Sequence, residues 1–300
     1  MAEGNRVVTV GVDTHKDAHV AAALDASGAL LGTASFPADA RGYASMVAWM
    51  RAFGRVEAAG VEGTGGYGAG LARALDAAGV RVLEVSAPDR SERRRRGKSD
   101  GIDAEQAARA ALAGTRCAPA KSRCAEMGAL GALEAAYAGA VKARTAALNA
   151  LQAQVVALPE EARAPLRGKG SSELVRACAS MRPGAGSSPE TLAKVALRSL
   201  ARRARMLDEE AKGLEAEIDA LTKALAPSTR SLLGAGPHVA ARLLLAAGAN
   251  VSRLRSEASF SMLCGASPVP VSSGRADRHR LSRAGDRRAN SALYTMAITR

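Results

Sequence analysis

Aromatic side chains are scarce: three Phe, four Tyr and one Trp make up 3% of the 300 residues. That is too few for a platform on which single-stranded bases stack. Cysteine is scarce as well. Cys117, Cys124, Cys178 and Cys264 form no CxxC pair and have no histidine at metal-ligand spacing, which predicts free thiols in a reducing compartment. No apolar run approaches the ~20 residues of a membrane span. MAEGNR leads into the first strand without the apolar core of a signal peptide, so no export is expected. Acids are the remaining shortage, with 29 Asp+Glu against 42 Lys+Arg, a formal net charge of +13 and a pI near 10.2. The imbalance predicts a polyanionic partner, nucleic acid or an acidic membrane surface. Without stacking aromatics, contacts to a duplex backbone fit better, and a cytoplasmic, nucleoid-associated protein is expected.

A hydrophobic fraction of 47% is enough for real cores, and the length suggests roughly two domains. VVTVGVD, from Val7 to Asp13, reads as a buried strand that ends on an acid. Val20–Leu24 and Ala29–Phe36 flank a Ser-Gly turn, so the first three strands form an antiparallel meander. A helix follows over 40–53, then strand 56–61 ending on Glu62, helix 71–78 and strand 81–85. Strand, strand, strand, helix, strand, helix, strand, helix is the order of an RNase H-like α/β domain. Pro88 to Lys98 carries six basic residues, and SDGIDAEQAARAAL then opens a helix capped by Ser99 or Asp100.

From Cys124 to Leu158, and again from Leu192 to Leu225, apolar positions step by three, four or seven. The two long helices are separated by a Gly/Ser/Pro-rich loop over roughly 165–189. That pattern suggests an antiparallel coiled-coil arm used for assembly. A further domain begins near Ser228. Its GAGPHVA segment suits either a helix-hairpin-helix turn that meets a DNA phosphate or a plain packing corner. The sequence ends inside a helical run, NSALYTMAITR, and the expectation is that the C-terminal helical structure continues beyond it.

Four acids carry the chemistry. Asp13 and Glu62 end strands, and Asp100 and Asp103 lie three apart on one face of a helix start. Singly, each has a plainer reading as a turn residue or an N-cap. Together they form a hard-oxygen set suited to Mg²⁺, and two such ions steady both the attacking and the leaving oxygen of a phosphoryl transfer. A second candidate is the Ser272-Ser273-Gly274 stretch, where a serine beside glycine has an unhindered backbone; a solvated Ser/Gly loop is the alternative. Arg275, Arg278, Arg280 and Arg283 follow it. With Arg93, Arg94, Arg95, Arg96 and Lys98, they are candidates for nucleic-acid backbone contacts.

The motifs GVDTHKDAH, GVEGTGGYG, KSDGIDAEQAA, GAGPHVAARLL and GASPVPVSSG…LSRAGDRRANSALY resemble the DEDD transposases of bacterial insertion sequences, the Piv/IS-one-ten group. The resemblance runs in order along nearly the whole chain. It implies a RuvC-like (RNase H-like) catalytic domain over residues 1–115, whose acids match Asp13, Glu62, Asp100 and Asp103. It further implies a C-terminal transposase domain over 228–300, expected to be mainly α, and the long-helix pattern makes the 116–227 region between them a helical coiled-coil assembly region. In the transposase domain, the nucleophilic serine matches Ser273. Also implied are Mg²⁺, double-stranded DNA at element ends and target, a structured guide RNA, a covalent phosphoserine and a homo-oligomer, dimer or tetramer. Three rivals stay open on residues alone: a RuvC-like junction nuclease using water, an actin/sugar-kinase-type ATPase and an inactive nucleic-acid-binding remnant.

Overall fold

The computed structural model describes residues 6–85, 99–121, 124–272, 276–282 and 284–300. The chain forms two compact units, one of residues 1–123 and 248–253, the other of 124–247 and 254–300. No helix among the described residues is long and apolar enough to cross a membrane.

The first unit is built on a six-stranded sheet in the order β3-β2-β1-β4-β5-β6. Its strands are β1 (Val7–Thr14), β2 (Ala18–Asp25), β3 (Leu30–Pro37), β4 (Arg55–Glu62), β5 (Val82–Val85) and β6 (Cys117–Pro119). The meander is as the sequence predicts: β1 pairs antiparallel with β2, and β2 with β3. β4 and β5 then run parallel to β1. The short β6 closes the edge antiparallel to β5; three residues give no alternation to read in the sequence.

Strand alternation sends side chains to opposite faces. Val8, Val10 and Val12 of β1 enter a core with Met46 and Met50 of α1 (Ala40–Ala52) and Leu71 and Leu75 of α2 (Ala69–Ala77). Gly11 faces the other side, where α3 (Asp100–Ala113) lies. Gly11 pairs in register with Gly60 of β4, and the two make a bare patch two strands wide. A Cβ on Gly11 would lie 2.0 Å from the Ala108 nitrogen and 2.1 Å from the Ala104 oxygen. One on Gly60 would lie 2.7 Å from the Ala107 oxygen. The alanine-rich face of α3 therefore rests directly on sheet backbone. Ser99 caps α3 by accepting from the Ile102 amide, and Gly114 at φ 64° ends it.

In the second unit, α4 (Ala125–Val156) and α6 (Pro189–Leu225) run antiparallel. Leu130 meets Ile218 near one end, and Leu151 meets Leu197 near the other. The segment between them departs from the expected loop. Ser171–Ala179 forms a helix, α5, whose Leu174 and Cys178 sit with Leu166 against Leu151, Val155 and Leu197. Leu174 and Cys178 are spaced i, i+4 and so share one face, but the flanking Gly and Ser residues mask that short signal. Beyond α6, α7 (Pro237–Ala247) packs its Val239, Leu243 and Ala246 against Ala289, Ala292 and Met296 of α8 (Arg287–Thr299). The GAGPHVA turn packs closely on α8. Only one helical turn, Pro227–Arg230, precedes it, and Gly234 at φ 79° would place a Cβ 3.1 Å from the Met296 Cα. β7 (Pro268–Pro270) and β8 (His279–Leu281) form a small hairpin.

Candidate metal centre

Asp13 lies two residues beyond Gly11 and Glu62 two beyond Gly60, so the two-residue period turns both towards the face that carries α3. β1 and β4 are parallel neighbours, with Val12 beside Val61, and the two acids therefore lie together at the C-terminal end of these central strands. α3 brings its first turn, with Asp100 and Asp103, to the same place because the glycine patch lets it settle on β1. Acids are favoured in that turn by the positive end of the helix.

Asp13 and Asp103 are buried, while Asp100 is exposed. His15, again two residues along, stands between two of the carboxylates. Its Nε2 is 3.0 Å from Asp13 Oδ2 and 3.4 Å from Asp100 Oδ1. One ligand atom from each of Asp13, His15 and Asp100 lies within 4.8 Å of the others. Burial pushes the Asp13 carboxyl above the usual carboxylate range. His15 opposes that, and the negative charges of Asp103 and Asp100 add to it. Nearby, His19 is fully buried and stacks on Tyr43 with ring centroids 5.7 Å apart. Desolvation holds its pKa below the usual histidine value.

A buried carboxylate beside two others calls for positive charge, and hard oxygen donors at this spacing suit a divalent cation. The residues fit such an ion. His15 adds a nitrogen donor of the kind that transition metals accept. His15 was not among the expected site residues, although its place two residues after Asp13, just beyond the end of β1, was a usable signal.

In the second unit, Ser272 ends the β7 side of the hairpin. Its hydroxyl donates to Asp277 Oδ1 at 3.3 Å and accepts from the Arg278 amide at 3.1 Å. Arg278 and Arg280 are exposed on the returning strand side. Ser273, Arg275 and Arg283 lie outside the described residues, as do Arg93, Arg94, Arg95, Arg96 and Lys98.

Residues 10–158 match the family model of the DEDD transposases of IS110 type, and residues 228–300 match that of the IS116/IS110/IS902 transposase family. The chain belongs to the IS110-type transposases. It is a DNA transposase/recombinase, and its family implies transposition, DNA binding and use of a divalent metal. No curated protein matches the chain. The mixed α/β sheet at the N-terminal end and the mostly helical remainder accord with a DEDD transposase.

Proposed function

We propose that this transposase cleaves and rejoins DNA at a Mg²⁺ site formed by Asp13, Glu62, Asp100 and Asp103, with Ser273 as nucleophile. A structured RNA selects the DNA. The observation that carries the reading is the seat of α3 on Gly11 and Gly60, which delivers the first-turn acids to the strand-end acids. The sheet order β3-β2-β1-β4-β5, with β2 antiparallel to both its neighbours and β1, β4 and β5 parallel, supports an RNase H-like (RuvC-like) domain. The antiparallel α4–α6 pair supports a coiled-coil assembly arm and a homo-oligomer.

A divalent ion bound by these acids supplies Lewis-acid polarisation of a scissile phosphate. The chain's own groups do the rest. The buried Asp13 fixes the position of the site, and the exposed Asp100 leaves one side open to a substrate. His15 Nε2 hydrogen-bonds Asp13 and stands 3.4 Å from Asp100, which holds the imidazole between the two carboxylates. Ser273 Oγ bonds to phosphorus as the bond from phosphorus to the sugar oxygen breaks, and the serine proton ends on that departing oxygen as a sugar hydroxyl, so the phosphodiester energy is kept for rejoining. The Ser272 hydroxyl is already engaged within the hairpin turn, which favours its neighbour for this role. RNA guidance rests on the motif resemblance and on the +13 charge, which suits a second polyanion beside DNA.

The test combines metal and adduct. Mg²⁺ should raise the melting temperature of the wild type and fail to do so for Asp13→Asn, and denaturing gels should show DNA-linked wild-type protein. Cleavage by Asp13→Asn at the wild-type rate would sink the metal assignment. Strand cleavage by the wild type without any adduct would replace serine by water.

A further inference from the structure

A cavity of about 600 Å³ opens between α4, α5 and α6 of the second unit, far in sequence from the acid site and from the serine stretch. Four cations line it: Arg144 from α4, Arg176 from α5, and Arg205 and Lys212 from α6. Asp208 is the single carboxylate among the lining residues. It pairs with both Arg144 and Lys212, the latter at 2.8 Å, so one negative charge is shared by two positive ones. Arg205 has Glu209 at 3.6 Å. Arg176 makes no ion pair among the described residues, and the Nε of Arg144 is buried there without a hydrogen-bond partner. Ser171 and Ser172 add hydroxyls from the first turn of α5, a turn that carries no side-chain cap.

A structural ion network would need about one carboxylate for each cation. This one is short of acids, and its cations converge from three helices. Guanidinium forks match phosphate oxygens, and backbone amides at a helix start favour the same anion. Eight of the twelve residues that line it carry a charge or a hydroxyl, whereas small-molecule pockets of this size hold only a few polar groups. We infer that the cavity holds a phosphodiester segment of nucleic acid, so that the long-helix pair grips a backbone in addition to any role in assembly. DNA and RNA offer the same phosphate chemistry, and the probes separate them.

The experiment uses the full chain with Arg176→Gln and Lys212→Gln together. Both residues are exposed, and circular dichroism melting checks the fold. Lys142→Gln with Arg203→Gln is the control. These residues are also exposed and lie two positions before Arg144 and Arg205, about 200° around the same helices. The control removes equal charge from faces that do not line the cavity. A short DNA duplex, an RNA hairpin and inorganic phosphate are the probes, over a series of salt concentrations.

With duplex DNA as occupant, the slope of log K against log salt shallows by up to ~1.8 in the cavity variant and not in the control. A comparable change confined to the hairpin assigns the cavity to RNA and equally supports the inference. Should the double variant melt early, Arg176→Gln alone breaks no ion pair among the described residues and should shallow the slope by up to ~0.9. Equal shifts in variant and control, or no shift with either polymer, overturn the inference. Loss of a phosphate effect alone overturns it too, because the cavity would then be only a small-anion site.

Discussion

Replacing Gly11 by alanine adds one methyl group at the place where α3 meets the sheet. The new Cβ would stand 2.0 Å from the Ala108 nitrogen and 2.1 Å from the Ala104 oxygen, where ordinary contact begins at 3.4 Å. The helix must therefore recede by about 1.4 Å. Both obstructing atoms are backbone, so no rotamer change relieves the clash. Gly60 anchors the next turn of α3 on the neighbouring strand, which resists a simple tilt. Overpacking of this kind costs about 1–3 kcal/mol, and the backbone obstruction places Gly11→Ala at the upper end. About 3 kcal/mol corresponds to a melting-temperature fall of roughly 10 °C for a unit of this size. Asp100 and Asp103 move with the helix, and a misplacement of about 1 Å at a catalytic constellation costs on the order of 100-fold in rate. Gly79→Ala is the comparison. Gly79 sits at φ 73° with no atom within 4 Å of an added Cβ, so it should lose only ~1–2 kcal/mol of backbone strain and keep its cleavage rate. Calorimetry in chelator and single-turnover DNA cleavage measure both effects. A Gly11→Ala protein that melts and cuts like the wild type, or like Gly79→Ala, would refute the seating argument and with it the delivery of the helix acids.

Asp13→Asn should hold or raise the metal-free melting temperature at neutral pH, since burial and the neighbouring acids disfavour the Asp13 charge. The sign follows from linkage: a carboxyl whose pKa is raised by folding favours the folded state when protonated. The wild-type deficit should therefore close as pH falls through the raised folded value towards ~3.9, the unfolded one. A pH series of melts in chelator reads this, and a gap independent of pH would contradict it. Ser273→Ala should abolish the DNA–protein adduct, while Ser272→Ala keeps it and only loosens the hairpin turn by about 1 kcal/mol; the opposite pattern on denaturing gels moves the nucleophile by one residue. Glu134 is 2% exposed and holds His238 and Arg242. Glu134→Ala should therefore cost about 3 kcal/mol by leaving the His238 Nδ1 and the Arg242 guanidinium without this acceptor, and a denaturant midpoint equal to the wild type would show the network to be idle.

Patterning alone placed the strands up to β5, a helix cap at Ser99 or Asp100, and the two long helices. Each depends on a period or a cap that the chain carries locally: alternating valines in β1, three-and-four steps in α4 and α6, and a serine before a run of alanines. The four acids were legible for the same reason, as polar residues at the ends of apolar segments. Tertiary structure decided what an apolar or bare face meets. Gly11 and Gly60 read as mere interruptions in two strands, because a glycine signals either a bulge or a close approach and only the partner tells which. Their registration across β1 and β4, 49 residues apart in sequence, turns them into the seat of α3. His15 joins Asp13 to Asp100 only once that helix has docked. The engaged hydroxyl of Ser272 depends on a strand that returns at Arg278, and the α5 helix on a core supplied by both long helices. A period in the sequence reports which side of an element is buried; it carries no information about which other segment arrives there, and the acid site is made by that arrival.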